Sequence, residues 1–315
     1  MEPAPLLSIE AAPAPDGAAE YYRGADGVRL RAALFPAISA RGTVILSPGR
    51  TEPIEKYFEV VRDLTERGFS VLAHDWRGQG GSDRPLADPL KGHANGHADY
   101  LSDYRRLLDV FAGRAPKPWI AVGHSMGGCL ILLALAEGER RLDGAVLSAP
   151  MVRVHTGGRP YRQSRALAWV MARSGRAASY VLGEPNSPYD HTFEANALTR
   201  DRVRYDRWRA QLAARRELGL GGVTWGWLDF AFRAAHRLLG QPGLETVTIP
   251  IVVVAAGEDH VVDTAAARLA AERLPSGRYV EVEGALHEIL IETDDKRDQW
   301  FAAFDQLTDE LSFRT

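Results

Sequence analysis

The chain has 315 residues, 45% of them hydrophobic and 25% charged, with a net charge of −3. That is ordinary globular usage; it excludes a disordered, fibrous or collagen-like chain and carries no nucleic-acid signature. No apolar run approaches the ~20 residues of a membrane-spanning helix. The start, Met1-Glu2-Pro3-Ala4-Pro5, lacks the basic and apolar regions of a signal peptide. The single cysteine, Cys129, excludes an internal disulfide and a cysteine-based zinc site. The expected compartment is the cytoplasm, with a peripheral contact at the inner membrane left open.

Residues 1–20 are rich in Ala and Pro, lack apolar periodicity and read as a flexible arm. Strand signals follow at 28–35, 43–47, 70–74, 119–123 and 144–148, then at 250–255 and 278–283. Several are continuous Val/Ile/Leu/Ala runs, as expected of strands covered on both faces of a parallel sheet. Helical spacing falls between them: Ile54 to Leu64, Tyr100 to Phe111, the wholly apolar 126–136, and a last stretch from Trp300 to Leu311. This alternation predicts an α/β fold with a mostly parallel central sheet flanked by helices. It breaks at about 150 and resumes at about 249. The expected organisation is a core of 21–150 and 246–315, with 151–245 inserted as a helical cap (stretches 164–173, 199–216 and 226–239). That insertion holds 15 Arg, no Lys and 8 acidic residues, a net of +7, against −10 for the rest. Two readings stay open: a solvated helical surface, or a positive face that meets anionic lipid or a phosphate headgroup.

The strongest local signal is Gly123-His124-Ser125-Met126-Gly127. It is a G-x-S-x-G that follows the strand WIAVG and opens an apolar helix. A strand turning sharply into a helix projects the serine oxygen from the carboxyl edge of the sheet, and small residues two before and two after permit the turn. A serine hydroxyl needs a base held by a third group, and in this arrangement the order is serine, acid, histidine. Asp259 follows the strand PIVVVAA and His287 follows RYVEVE, so both belong to the rim that carries Ser125. Glu258, His260 and Asp263 compete nearby; Asp263 reads as a cap or a solvated acid, and His124 as a support pointing off the elbow. Acyl chemistry also needs oxyanion donors. The expected ones are the backbone N–H of Met126 and that of Arg50, in the loop Ser47-Pro48-Gly49-Arg50-Thr51-Glu52, where Gly49 lets the backbone turn its amides toward a substrate.

Other features read as structural. Asp75-Trp76-Arg77-Gly78-Gln79-Gly80-Gly81-Ser82 lacks phosphate-loop spacing, so Asp75 and Arg77 are expected to hydrogen-bond a turn. His93 and His97 are four apart, but Gly92, Asn95 and Gly96 disfavour a helix, and no third metal ligand is evident. Neither a metal nor a cofactor is expected.

Together these residues resemble the α/β-hydrolase superfamily over most of 28–312. SPGRTEPIEKYFEVVRDLTERGFSVLAHDWRGQGGSDRPLADPLKGHANGHADYLSD, VGHSMGG, LSAPM and, in the insertion, NALTRDRVRYDRW and GGVTWGWL look like the bacterial lysophospholipase and monoacylglycerol lipase branch of the serine aminopeptidase-type hydrolases. The resemblance implies hydrolysis of a fatty-acyl ester by Ser125, His287 and Asp259. It departs at Pro48, which stands where monoacylglycerol lipases usually carry histidine. Trp225, Trp227, Phe230 and Phe232 are candidates for an acyl pocket, or else seal the cap to the core. Arg200, Arg202, Arg204, Arg207 and Arg209 are candidates for a phosphate or membrane contact, with most of them expected to be solvated. A general carboxylesterase and a lipid acyltransferase remain open with the same triad. A peptidase is disfavoured by the basic cap, and a non-catalytic ligand receptor by the intact elbow.

Overall fold

In the computed structural model, which describes residues 1–181 and 187–312, the continuous apolar runs stack at the centre of one sheet. Its strands are β1 (Glu2–Ala4), β2 (Ala18–Arg23), β3 (Arg29–Phe35), β4 (Gly42–Ser47), β5 (Phe69–His74), β6 (Trp119–His124), β7 (Gly144–Ser148), β8 (Ile251–Ala256) and β9 (Gly277–Val282). The order is β1-β2-β3-β5-β4-β6-β7-β8-β9, antiparallel from β1 to β5 and parallel from β5 to β9. Both faces of the central strands are covered, so each run splits by alternation. On β8, Ile251 and Val253 join one core, while Val252 and Val254 join the other.

The first core is covered by α2 (His97–Phe111), α3 (Met126–Ala136), α6 (Trp225–Gly240) and α7 (Thr264–Glu272). The second is covered by α1 (Phe58–Glu66) and α8 (Asp294–Ser312). Between β7 and β8 lie α4 (Tyr161–Met171), α5 (Arg202–Ala214) and α6.

The N-terminal arm departs from its expected looseness. β1 and β2 extend the sheet as antiparallel strands, with β1 at the edge, and the connection between them is tied inward. Arg31 Nη1 donates to Pro5 O at 2.9 Å, and Leu7 N donates to Glu55 Oε1 at 3.2 Å. Arg31 is itself buried between Asp75 and Glu55, 2.6 Å from each. The order of the arm therefore comes from long-range partners that local composition does not register.

The insertion is anchored by charge. Arg204 on α5 reaches Glu59 on α1 at 2.8 Å, Asp201 at 2.7 Å and Asp294 at 2.6 Å. Arg207 adds a 2.5 Å contact to Glu59, and Arg200 pairs with Glu258. Burial pushes the Glu59 carboxyl up, but the hydrogen bond from Arg204 and the charges of Arg297, Arg204 and Arg207 outweigh it and hold the group down at about 2. A carboxylate held below its ordinary ~4.3 stabilises the fold above that value, and the contribution fades as pH falls toward 2. Glu59→Gln should therefore lower Tm by a few degrees at pH 7. The gap to the parent should narrow as pH is lowered from 5 to 3, read by thermal melts monitored by circular dichroism.

Candidate active site

β6 ends at His124 and α3 begins at Met126, so one residue makes the turn. Ser125 makes it at φ 50°, ψ −114°, a conformation that a residue with a Cβ adopts only under surrounding constraint. The constraint is visible. Ser125 N–H donates to Ser148 O at 3.0 Å, and its carbonyl accepts from Cys129 N at 3.0 Å and Met151 N at 2.9 Å. The flanking glycines are sites of close approach. A Cβ on Gly127 would lie 2.2 Å from Ser47 O, and one on Gly123 would lie 2.5 Å from Ile131 Cδ1.

Ser125 Oγ lies 2.9 Å from His287 Nε2, and His287 Nδ1 lies 2.7 Å from Asp259 Oδ2. Asp259 sits just past β8. Its other oxygen accepts from the amides of Val261 at 2.8 Å and Val262 at 2.9 Å. Burial pushes the Asp259 carboxyl up, yet the hydrogen bond and charge of His287, with these two amides, hold it below the usual carboxylate range. The two loops are tied to each other through Gly257 N to Val282 O and Glu258 N to Ala285 O, both 2.9 Å. Asp263 caps α7, accepting from Ala266 N, and Glu258 is taken by Arg200. The two nearby acids that competed with Asp259 thus have other partners.

The loop after β4 holds a cluster that sequence reasoning did not single out. Glu52 Oε2 accepts from Gly49 N at 2.6 Å, Tyr57 Oη at 2.6 Å and His124 Nδ1 at 2.9 Å, while Oε1 accepts from Lys56 Nζ at 3.0 Å. Lys56 also reaches Glu288 at 2.5 Å, and His124 Nε2 lies 3.2 Å from His287 O. Burial pushes Glu52 up, but the charges of His124 and Lys56 hold it well below its ordinary range. Burial likewise lowers His124, and the charge of Glu52 more than reverses that. The one available signal was Glu52 and Lys56 at i,i+4, a spacing that pairs charges on a helical turn.

The aromatic pocket expected from Trp225, Trp227 and Phe230 is not assembled as one surface. On α6 the helical period sends Trp227, Phe230, Ala231 and Ala234 to the main core and Trp225 and Phe232 to a small cluster with Ala168 on α4. Phe230 is fully buried against Tyr100, and Trp227 lies under the Arg50 guanidinium, 5.6 Å from centroid to carbon. The space between insertion and core is instead a cavity of about 310 Å³ lined by Tyr205, Trp208, Leu212, Leu198 and Leu220, with Arg50, Lys56 and Glu288 among its polar walls. Gly49 faces Glu52 and His124 rather than this cavity. Of the candidate arginines from 200 to 209, Arg200 and Arg202 keep exposed side chains as expected, while Arg204 and Arg207 are more enclosed. Arg200, Arg202, Arg204 and Arg207 are in ion pairs, and Arg209 donates to the carbonyls of Pro188 and Tyr189. Asp75 accepts from Ile54 N and Gly81 N, holding its turn as expected, while Arg77 turns to Asp103 and Asp26. His93 and His97 go to different partners, Thr224 and Glu137.

The model of the family described as "Serine aminopeptidase, S33" matches residues 38–294. Lysophospholipase L2 of Escherichia coli K12 is 32% identical over 286 residues, 88% of this chain and 83% of that one. Monoacylglycerol lipase of Mycolicibacterium smegmatis is 28% identical over 284 residues, 87% and 91% of the two chains. Among solved structures, a soluble variant of monoglyceride lipase from Saccharomyces cerevisiae in complex with a substrate analog superposes with a TM-score of 0.75 at 19% identity, over 98% of this chain and 99% of that one. At that identity the likeness shows the α/β-hydrolase fold.

The contact of Gly127 with Ser47 O and Pro48 O makes one substitution diagnostic. Gly127→Ala puts a methyl where there is backbone, a clash relieved only by moving β4 or the elbow. It should cost several kcal/mol, at the severe end for a single substitution. The expected result is a loss of soluble, folded protein, or a Tm more than ten degrees lower, by circular dichroism.

Proposed function

This chain belongs to the serine aminopeptidase S33 family of α/β-hydrolases, and from that premise we propose that it cleaves fatty-acyl carboxylic esters through an acyl-enzyme, with lysophospholipids or monoacylglycerols as substrates. The observation that carries the reading is the continuous chain from Asp259 through His287 to the oxygen of a strained serine, with steps of 2.7 and 2.9 Å. In the proposed reaction Ser125 Oγ attacks the ester carbonyl while His287 Nε2 takes its proton, and Asp259 keeps the proton of Nδ1 in place. The amides of Met126, at the start of α3, and Arg50 are the proposed oxyanion donors. Gly49, one residue earlier, spends its own N–H on Glu52. His287 then protonates the departing alcohol, and a water activated by the same imidazole releases the fatty acid. The segment 151–245 serves as the cap, and the cavity beneath α5, with Trp208 and three leucines in its wall, suits an acyl chain.

The names of the relatives support the lipid-ester class, and a serine nucleophile supports an acyl-enzyme route to ester cleavage. Purified protein should release fatty acid from lysophosphatidylethanolamine, monoacylglycerol and p-nitrophenyl esters with unequal kcat/KM. Ser125→Ala should lower every rate by at least about 10³-fold while leaving Tm unchanged. Retained turnover in that variant would refute the reading. Preference for short esters alone would make it a carboxylesterase, and transfer to an added lipid alcohol would make it an acyltransferase.

A peripheral membrane contact belongs to the same proposal, and its support lies on α4 rather than α5. Leu167, Trp169 and Val170 are 43%, 51% and 50% exposed there. Residues 151–181 hold six Arg and no acidic residue. An apolar face rimmed by arginine suits an anionic lipid surface. Among the described residues no helix is long and apolar enough to cross a membrane. Trp169→Ala should weaken co-sedimentation with anionic vesicles by about tenfold, the scale of one exposed aromatic, and leave turnover of a short ester intact.

A further inference from the structure

Three loops must be held in register for the proposed reaction: the loop after β4 that bears the second oxyanion donor, the elbow, and the loop after β9 that bears the base. All three converge on Glu52, which is buried at 2% exposure. Its Oε2 holds the amide of Gly49 and the imidazole of His124, the residue preceding Ser125. His124 passes the connection on to the carbonyl of His287. Lys56, bound to Oε1, holds the side chain of Glu288, the residue after His287. The packing leaves little slack, since a Cβ on Gly49 would meet Glu52 Oε2 at 2.7 Å and His124 Nδ1 at 2.9 Å.

The two partners of His124 determine its protonation. Nδ1 faces a carboxylate oxygen and Nε2 faces a carbonyl oxygen. Both are acceptors only, so both ring nitrogens must donate. The groups around it balance that charge: Glu52 and Glu288 are anionic, Lys56 is cationic, Tyr57 is neutral, and the His287 ring lies 4.9 Å away. We infer that Glu52 is a positioning residue for the reaction, setting the oxyanion loop and the base loop against the elbow through His124 held as a permanent imidazolium. The inference rests on the reading of Ser125 as nucleophile. It adds a second histidine at the site whose charge is structural and whose proton is not transferred.

With the carboxylate neutralised, His124 either loses a proton and lets go of the His287 carbonyl, or keeps an uncompensated charge beside the base. Both outcomes act on the transition state more than on substrate binding. Glu52→Gln should therefore lower kcat at pH 7.5 by at least tenfold per active site, counted by fluorophosphonate labelling, with KM changed less than twofold. Its kcat/KM profile should gain an ionisation near neutral pH as His124 becomes titratable. In the parent protein, two-bond 1H–15N spectra should show His124 doubly protonated from pH 6 to 8.5, the resonances being assigned by their loss in His124→Asn. A neutral tautomer of His124 at pH 7 in the parent overturns the inference, and so does a folded Glu52→Gln variant with unchanged kcat. If that variant does not fold, the parent spectrum decides. Turnover by Ser125→Ala would instead bring down the nucleophile assignment, whatever the state of His124.

Discussion

A serine held at φ 50° between a strand and a helix is the constraint around which the carboxyl edge of the sheet is built. A residue with a Cβ does not stay in that conformation unaided, and a strain of the order of 1–3 kcal/mol has to be offset by its surroundings. Here β7 and the start of the following loop take its amide and carbonyl, and α3 takes the carbonyl again. The glycines at 123 and 127 let β4 and α3 come to contact distance. Side-chain bulk at 127 would push the elbow away from the β4 loop, where the second oxyanion donor is proposed, and bulk at 123 would push it away from α3.

Charge serves two different ends on the two sides of that edge. Beneath it, four ionised groups and a tyrosine are buried in a closed cluster about Glu52. Burying charge is costly unless every partner is present, and here each of these groups is hydrogen-bonded within the cluster. Above it, Arg200 ahead of α5 and Arg204 and Arg207 on it are spent on Glu258, Glu59 and Asp294 of the core. The basic excess of the insertion is in large part a fastening. The exposed apolar residues of the insertion lie on α4 instead, at Leu167, Trp169 and Val170.

The legibility of this chain follows the range of the interactions concerned. Continuous apolar runs such as IVVVAA and the G-x-S-x-G turn are local signals, and they led to the sheet and to the elbow. Asp259 and His287 were legible because each stands a few residues past a recognisable strand, and parallel strands bring their carboxyl ends to one rim. β1 and β2 were not legible. One is a three-residue edge strand with a proline, the other is half polar, and the connection between them is held by Arg31 and Glu55 farther along the chain. The aromatics of α6 misled because 225, 227, 230 and 232 look close in sequence. A 100° step per residue sends them to two different faces.

By itself, then, the amino-acid order determined the α/β class and which serine, acid and histidine can meet, since these depend on periodicity and on the order of strands. Only the tertiary structure decided what the polar residues near the site do. Whether an arginine fastens a helix or faces solvent, whether Trp208 rather than Trp225 walls the cavity, and whether His124 carries one proton or two all depend on partners tens to hundreds of residues away. The free energy of a buried charge or ring is set by those partners and not by its neighbours in the chain.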